Sequence, residues 1–156
     1  MGFYQGKCHA NRVLFKGTTD YDNGIISLGF DDLKYYNYNG CDEPIKEKHE
    51  NFNASYGDGA SRNGIDDTSN IKPDKWYYVV YTFNGSVSNL YVNNKLKSTV
   101  AKISAFTPNN SNLYIGRHEN STFPYYFNGV IDEIRIYNRA LSSDEVLGLG
   151  NVIGND

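Results

Sequence analysis

The sequence predicts an all-β fold of antiparallel strands, with one short helix near the C-terminus. The dipeptide Asn-Gly, which favours tight hairpin turns because both residues tolerate positive φ, occurs five times in 156 residues. Between these turns lie short runs rich in β-branched and aromatic residues, as is typical of strands. The Asn-Gly pairs begin at Asn23, Asn39, Asn63, Asn84 and Asn128.

Six strands are predicted from these runs. Residues 36–70 are polar, with scattered Gly, Asp and Asn, and predict one or two further weak strands joined by long loops. The run that begins at Trp76 is apolar at both alternating positions, which favours a central strand with one core face and one Tyr-lined surface. The six predicted strands are Arg12–Phe15, Ile25–Phe30, Trp76–Phe83, Asn89–Val92, Leu113–Gly116 and Val130–Tyr137.

The last predicted strand carries an acidic residue on its aliphatic side. Because side chains alternate along a strand, Asp132 shares a face with Val130, Ile134 and Ile136. A buried carboxylate is costly unless it is hydrogen-bonded, paired or bound to a metal. We therefore expect Asp132 to be buried with such a partner.

A short helix is predicted after this strand, over residues 138–148. Ser142 and Glu145 stand at the spacing of a capping box, in which each side chain accepts a hydrogen bond from the other residue's backbone N–H. Gly148 is expected to end the helix. The chain length predicts a single domain, here residues 1–150, followed by a flexible tail of residues 151–156.

Composition argues against several classes of function. Fifteen basic and 18 acidic residues give a net charge of −3 without a basic block, so no nucleic-acid partner is expected. No apolar run approaches the roughly 18 residues of a membrane span, so no membrane insertion is expected. The N-terminus lacks the apolar stretch of a signal peptide, so the chain is either cytosolic or a fragment of a longer protein.

Two cysteines, Cys8 and Cys41, allow one disulfide if the protein meets an oxidising compartment. Closing a loop of that size would contribute roughly 3–4 kcal/mol. Two reduced thiols fit the sequence equally well, because the pair lacks zinc-ligand spacing and carries no signature of its own.

Three parts of the sequence match one known family in order and spacing. Together they resemble the bacterial laminin-G-like domains of the concanavalin A-like lectin/glucanase superfamily. The resemblance covers roughly residues 12–147 and implies a jelly-roll β-sandwich of two antiparallel sheets. The matching parts are Trp76–Gly85 followed by Asn89–Asn94, then Asn112–Arg117, then Phe127–Ser142.

The resemblance also implies that strands are missing. Members of the family usually open with further strands, one of which lies beside the closing strand, so this sequence is expected to lack the first strands. An uncovered sheet edge then predicts either self-association, for example as a homodimer, or a partner segment that supplies the missing strand. The family position of Trp76 places its side chain in the core.

An enzyme is not expected. The resemblance to the glucanases of the superfamily would require a Glu-x-Asp-x-x-Glu strand, since retaining hydrolysis needs two carboxyls about 5–5.5 Å apart. The nearest segment has Asp132 and Glu133 adjacent, and alternation sends them to opposite faces. A Gly-x-Ser-x-Gly elbow and a His-Glu-x-x-His pair are also absent from the sequence.

Calcium is the cofactor that the resemblance implies, because many of these sandwiches hold the ion near the rim with carboxylates and carbonyls. The candidate ligands are Asp132, Asp20 and Asp22. The turn with Asp20 and Asp22 is not an EF-hand, and a hairpin turn stabilised by Asx hydrogen bonds is the simpler explanation. For Asp132 the alternative is a buried, hydrogen-bonded carboxylate.

Two stretches combine the flat apolar rings and planar polar groups that sugar binding needs. One spans residues 35–39, and the other spans residues 117–126 in a loop at a sandwich rim. Tyrosines on a half-exposed sheet face also serve ordinary packing, and each of the three histidines is expected to be solvated. The candidate carbohydrate-binding residues are Tyr36, Tyr38, Arg117, His118, Asn120, Tyr125 and Tyr126.

The sequence therefore predicts a non-catalytic module that binds a glycan or a glycoprotein, assisted by calcium or acting without a cofactor. Such a module is expected to be secreted or at the cell surface as part of a longer protein, and a cytoplasmic location stays open. The alternative is a structural or protein-interaction domain that self-associates through its uncovered sheet edge.

Overall fold

The computed structural model describes residues 10–17, 26–32, 50–57, 62–67, 71–72, 74–101, 109–119, 126–127 and 129–153. These residues form strands followed by one helix. The strands are β1 (Ala10–Lys16), β2 (Ile26–Asp32), β3 (Glu50–Gly57), β4 (Arg62–Asp66), β5 (Val79–Phe83), β6 (Val87–Val92), β7 (Lys95–Ala101) and β8 (Leu113–Ile115), and the helix is α1 (Ser143–Ile153).

The strands form two sheets in which neighbouring strands pair in antiparallel fashion. One sheet has the order β4-β3-β2-β1-β8, and the other has the order β5-β6-β7. The sheets pack face to face, which confirms the predicted β-sandwich with one short helix. The polar region 36–70 contributes β3 and β4, so the prediction of one or two strands there is confirmed.

Two tight turns connect the strands of the three-stranded sheet. In the first, Gly85 has a φ of 94°, and Asn84 Oδ1 accepts hydrogen bonds of 2.9 and 2.8 Å from the N–H groups two and three residues on. In the second, Asn93 and Asn94 have φ of 48° and 63°. Positive φ is what short hairpin turns require, so Asn-Gly and Asn-Asn serve the same purpose here.

The main core lies between the two sheets. Leu90 of β6 is fully buried, and Val92 two residues later points the same way. Phe52, Ala54 and Ile65 meet them from the five-stranded sheet. The alternation of side chains along β3 and β6 therefore decides which residues enter the core.

A second cluster covers the outer face of the three-stranded sheet. Tyr91 of β6 packs there against Leu141 and Val146, both of which are buried. Tyr78, which precedes β5, and Val80 of β5 also pack against this cluster. The second apolar face of β5, expected to be a Tyr-lined surface, thus packs against helix α1.

Three expectations for the run that begins at Trp76 are wrong. The strand begins at Val79 and not at Trp76, and β5 lies at an edge of the three-stranded sheet. Trp76, expected in the core, is 68% exposed. Trp76 precedes the ladder, so strand alternation does not direct its ring into the sandwich.

Helix α1 begins with the predicted capping box. Ser142 N donates to Glu145 Oε2 at 2.8 Å, and Glu145 N donates to Ser142 Oγ at 3.2 Å. The helix does not end at Gly148 but continues to Ile153, so residues 151–153, expected in a flexible tail, are helical. With 11 residues, α1 is too short to cross a membrane, and the described residues contain no longer apolar helix.

Close packing explains why the helix continues. A Cβ at Gly150 would overlap the side-chain amide of Asn94, so the absence of a side chain lets the helix approach the β6–β7 turn. Asn94 Nδ2 also donates to Asn151 Oδ1 at 3.2 Å. Tertiary contact with the turn therefore outweighs the tendency of glycine to end a helix.

The cap makes helix stability depend on pH. Arg139 donates to both carboxylate oxygens of Glu145, at 2.6 and 2.8 Å, and this lowers the Glu145 pKa from 4.5 to about 2. Since the pKa is lower in the folded state, the stabilisation is present above the unfolded value and is lost as pH falls from 4.5 towards 2. We expect acid titration of helix content by circular dichroism to show a step in this range that Glu145→Gln removes.

The segment 130–137 contradicts the prediction of a closing strand. None of its residues belongs to a strand, and Glu133 has a φ of 52°. Asp132, expected to be buried, is exposed, and its Oδ1 accepts a hydrogen bond of 2.8 Å from Glu133 N. Among the described residues no strand pairs with this segment, so a local side-chain bond takes the place of a ladder bond.

Candidate functional site

Tyr114, Arg117 and Tyr126 come together at the β8 edge of the five-stranded sheet. The Arg117 guanidinium carbon lies 5.1 Å from the centre of the Tyr114 ring and 6.0 Å from that of the Tyr126 ring. A cation within about 6 Å of an aromatic ring is attracted by its quadrupole. We call these three residues the tyrosine–arginine cluster.

Strand pairing and one turn bring the cluster together. Tyr114 lies directly opposite Phe15 of β1. Gly116 follows β8 with a φ of 74°, its N–H donates to Val13 O at 2.8 Å, and its carbonyl accepts from Phe127 N at 2.9 Å. Since Gly116 bonds both segments, Arg117 and Tyr126 are held side by side.

Hydrogen bonds to its own loop orient the Arg117 side chain. Nε donates to His118 O at 3.0 Å, and Nη2 donates to Glu119 O at 3.4 Å. Nη1 makes no hydrogen bond with any part of the chain that the structure describes. Tyr126 is 62% exposed, which leaves a flat ring open beside these donors.

His118 does not lie on this surface. Its side chain is 4% exposed, and its ring lies 3.7 Å from the Phe15 ring, centre to centre, at an angle of 34°. The expected solvated position is therefore wrong for His118. The ring packs beneath the loop instead, next to the strand pair that carries Tyr114.

A lysine fixes the start of β8. Lys16 Nζ donates to Asn109 O at 2.9 Å, to Asn109 Oδ1 at 3.1 Å and to Ser111 O at 2.5 Å. An ammonium group has three donors, and here all three meet oxygen atoms. The segment before β8 is thus attached to the end of β1, which sets the position of the edge strand.

The sheet face beside the cluster is polar and closed to solvent. The register places Ser27 and Ser55 in one row with Phe15, and Asn53 in the next row with Arg12. All five side chains are fully or almost fully buried. Tyr114 of the cluster continues the first row beside Phe15 and is partly exposed.

Comparison with known families identifies the fold. The model of the laminin G family described as the concanavalin A-like lectin/glucanases superfamily matches residues 15–147. The chain belongs to this superfamily. The resemblance seen in the sequence is confirmed, and the matched residues include all three members of the tyrosine–arginine cluster.

Solved structures similar to this laminin-G-like domain include one of a bacterial protein. It is a crystal structure of an S-layer domain-containing protein, residues 221–444, from Clostridium thermocellum. The two share 21% identity with a TM-score of 0.44, over 96% of this chain and 67% of the other. No protein with a curated description matches the sequence significantly.

The predicted calcium ligands are not brought together in the described part of the laminin-G-like domain. Calcium takes six to eight oxygen ligands. No group of three or more acidic, histidine or cysteine side chains comes together among the described residues, and Asp132 is exposed and bonded to its own backbone neighbour. Asp20 and Asp22, the other predicted ligands, lie outside the described residues.

Several predicted residues fall outside the described part of the laminin-G-like domain. Of the predicted carbohydrate site, the structure describes Arg117, His118 and Tyr126 and brings Arg117 and Tyr126 together. Sequence reasoning missed Tyr114, which was assigned only to a strand. The sequence carried one signal for Tyr114, because alternation along β8 directs its side chain to the other face from Leu113 and Ile115. The residues outside are Tyr36, Tyr38, Asn120, Tyr125, Cys8 and Cys41.

Proposed function

We propose that this laminin-G-like domain is a non-catalytic module that binds carbohydrate, free or on a glycoprotein, through the tyrosine–arginine cluster. The supporting observation is the guanidinium of Arg117, which lies 5.1 Å from the centre of the Tyr114 ring and 6.0 Å from that of the largely exposed Tyr126 ring. Membership of a lectin-like superfamily agrees with this proposal.

The chemistry of the cluster suits a sugar. The face of a tyrosine ring stacks on the apolar face of a pyranose, and the remaining N–H donors of Arg117 reach hydroxyl oxygens. Nearby, the Glu119 Oε2 atom is shielded from solvent and makes no hydrogen bond with the described residues. A buried acceptor of this kind is costly until a donor such as a ligand hydroxyl or a water reaches it.

The expected affinity is low. One exposed ring and one arginine form a small site, and such sites bind in the high micromolar to millimolar range, about 4–6 kcal/mol. Tethering or multivalent display would raise the effective affinity without any new contact. A module that is part of a secreted or surface protein and meets repeating polysaccharides would have both tethering and multivalent display.

Replacing Arg117 by alanine is expected to weaken binding roughly 10- to 100-fold, since hydrogen bonds to a charged group contribute about 1.5–3 kcal/mol. Tyr126→Ala removes a stacking face and should weaken binding by up to about tenfold. Trp76→Ala is the matched control, because it removes an equally exposed ring outside the cluster. A glycan array would find the ligand, and calorimetry on that ligand would measure all three variants.

Two further arms extend the same experiment. Titrations with excess calcium and with a chelator test the proposal of calcium assistance, for which Asp20, Asp22 and Asp132 remain the candidate ligands. An assay for released reducing ends tests the proposal that the module is not an enzyme. Equal loss of binding in the Trp76 control, or no binding to any polysaccharide, would contradict the proposed site.

A further inference from the structure

The ammonium group of Lys16 reaches from the end of β1 into a set of neutral oxygen atoms before β8. Its three acceptors are the backbone carbonyls of Asn109 and Ser111, at 2.9 and 2.5 Å, and Asn109 Oδ1 at 3.1 Å. Ser111 N also donates to Asn109 Oδ1 at 3.0 Å, so the Asn109 side chain is held by a second bond. We call these three oxygen atoms the oxygen cage.

The oxygen cage suits an ammonium group better than a divalent metal ion. Two of its three distances to Lys16 Nζ are longer than the roughly 2.3–2.6 Å at which oxygen binds calcium. None of the three oxygens belongs to a carboxylate, and high calcium affinity depends on charged ligands. An ammonium group has three N–H donors, and each of them meets one of these acceptors. The protein thus supplies this cation from its own chain.

The strand that follows the cage depends on how its ends are held. β8 has three residues, and among the described residues it pairs with β1 alone. The register sets Lys16 opposite Leu113, and Phe15 opposite Tyr114. The residue that holds the cage is therefore the chain neighbour of the residue that faces Tyr114. Loss of the cage would release the chain immediately before Tyr114.

We propose that Lys16 is a positioning residue for the tyrosine–arginine cluster, in which its ammonium group serves as an internal cation that holds Tyr114 beside Arg117. The inference rests on the proposed function, because it concerns the same site. All three donors of Lys16 go to the oxygen cage, so the residue acts through β8 and not by contact with a sugar.

Chemical rescue tests the internal cation. Lys16→Ala empties the cage and is expected to weaken glycan binding about tenfold, because the site is no longer pre-organised. Ammonium chloride at about 0.2 M should restore most of the binding, since the free ion presents the same N–H donors. Tetramethylammonium chloride at the same concentration gives the same ionic strength without N–H donors and should restore none. Lys16→Met fills the space and should respond to neither salt.

A second measurement reports on the cluster without any sugar. The Arg117 Nε–H gives a nuclear magnetic resonance signal whose position depends on the ring current of the Tyr114 ring, 5.1 Å from the guanidinium carbon. We expect this signal to shift in Lys16→Ala and to return with ammonium. Lys16→Arg keeps the charge and should stay folded, but its planar fork does not match the cage, so a smaller shift is expected.

Matched controls separate positioning from loss of charge and from loss of stability. Lys95→Met removes an exposed lysine at the start of β7 and should leave the Arg117 signal unchanged. Leu90→Ala destabilises the main core and should lower the melting temperature without an ammonium-dependent change in that signal.

Three results would overturn the proposal: an unshifted Arg117 signal in Lys16→Ala, wild-type glycan binding by that variant, or equal rescue by both salts. If the wild-type protein binds no glycan, the proposed function fails. The Arg117 signal and its recovery with ammonium then still decide whether Lys16 positions the cluster.

Discussion

Phe15→Ala is expected to lower the free energy of unfolding by about 3–5 kcal/mol, the usual cost of removing a buried phenylalanine. Phe15 is fully buried in β1, it lies opposite Tyr114, and its ring packs on His118. The cavity would open beneath the loop that carries Arg117. We therefore expect carbohydrate binding to weaken together with stability, as measured by denaturant unfolding and calorimetry.

Phe15→Leu is the matched variant for this test. Leucine keeps much of the apolar volume, so the expected loss is smaller, about 1–2 kcal/mol. Binding should survive in this variant, because Tyr114 keeps an apolar neighbour across the strand pair. Equal losses in the alanine and leucine variants would contradict the packing role assigned to the Phe15 ring.

Leu90→Ala is expected to cost about 2–5 kcal/mol, because the side chain lies in the main core between the two sheets. Leu96→Ala makes the same change on the adjacent strand β7, where the side chain is 54% exposed against 0% for Leu90. For the exposed position we expect a change within about 0.5 kcal/mol. Because the substitution is the same at both positions, the difference between the two variants measures how much burial of the leucine side chain contributes to the free energy of unfolding.

Urea unfolding of both leucine variants would give the two free energies. The slope of the free energy of unfolding against urea concentration should match wild type in both variants, because neither substitution changes much the surface area exposed on unfolding. A large loss at Leu96 would show that the outer side of β7 is covered by another molecule or by more of the chain. A small loss at Leu90 would contradict the sheet packing described for the core.

Local sequence determined the features of this domain that depend on a few neighbouring residues. The Asn84-Gly85 turn, the Ser142 and Glu145 capping box, and most strand positions followed from residue type and spacing. For the turn and the capping box, the hydrogen bonds that stabilise the feature lie within a few residues of one another. The family was also evident, because its matching segments span much of the chain.

Only the tertiary structure decided which surfaces are covered and which residues meet. The same alternation that placed Leu90 in the core predicted a buried Asp132, yet Asp132 is exposed because no described strand pairs with its segment. Tyr114, Arg117 and Tyr126 meet because Gly116 bonds to two segments that are distant in sequence. Burial and long-range contact depend on what packs against a residue, and a short stretch of sequence does not contain that information.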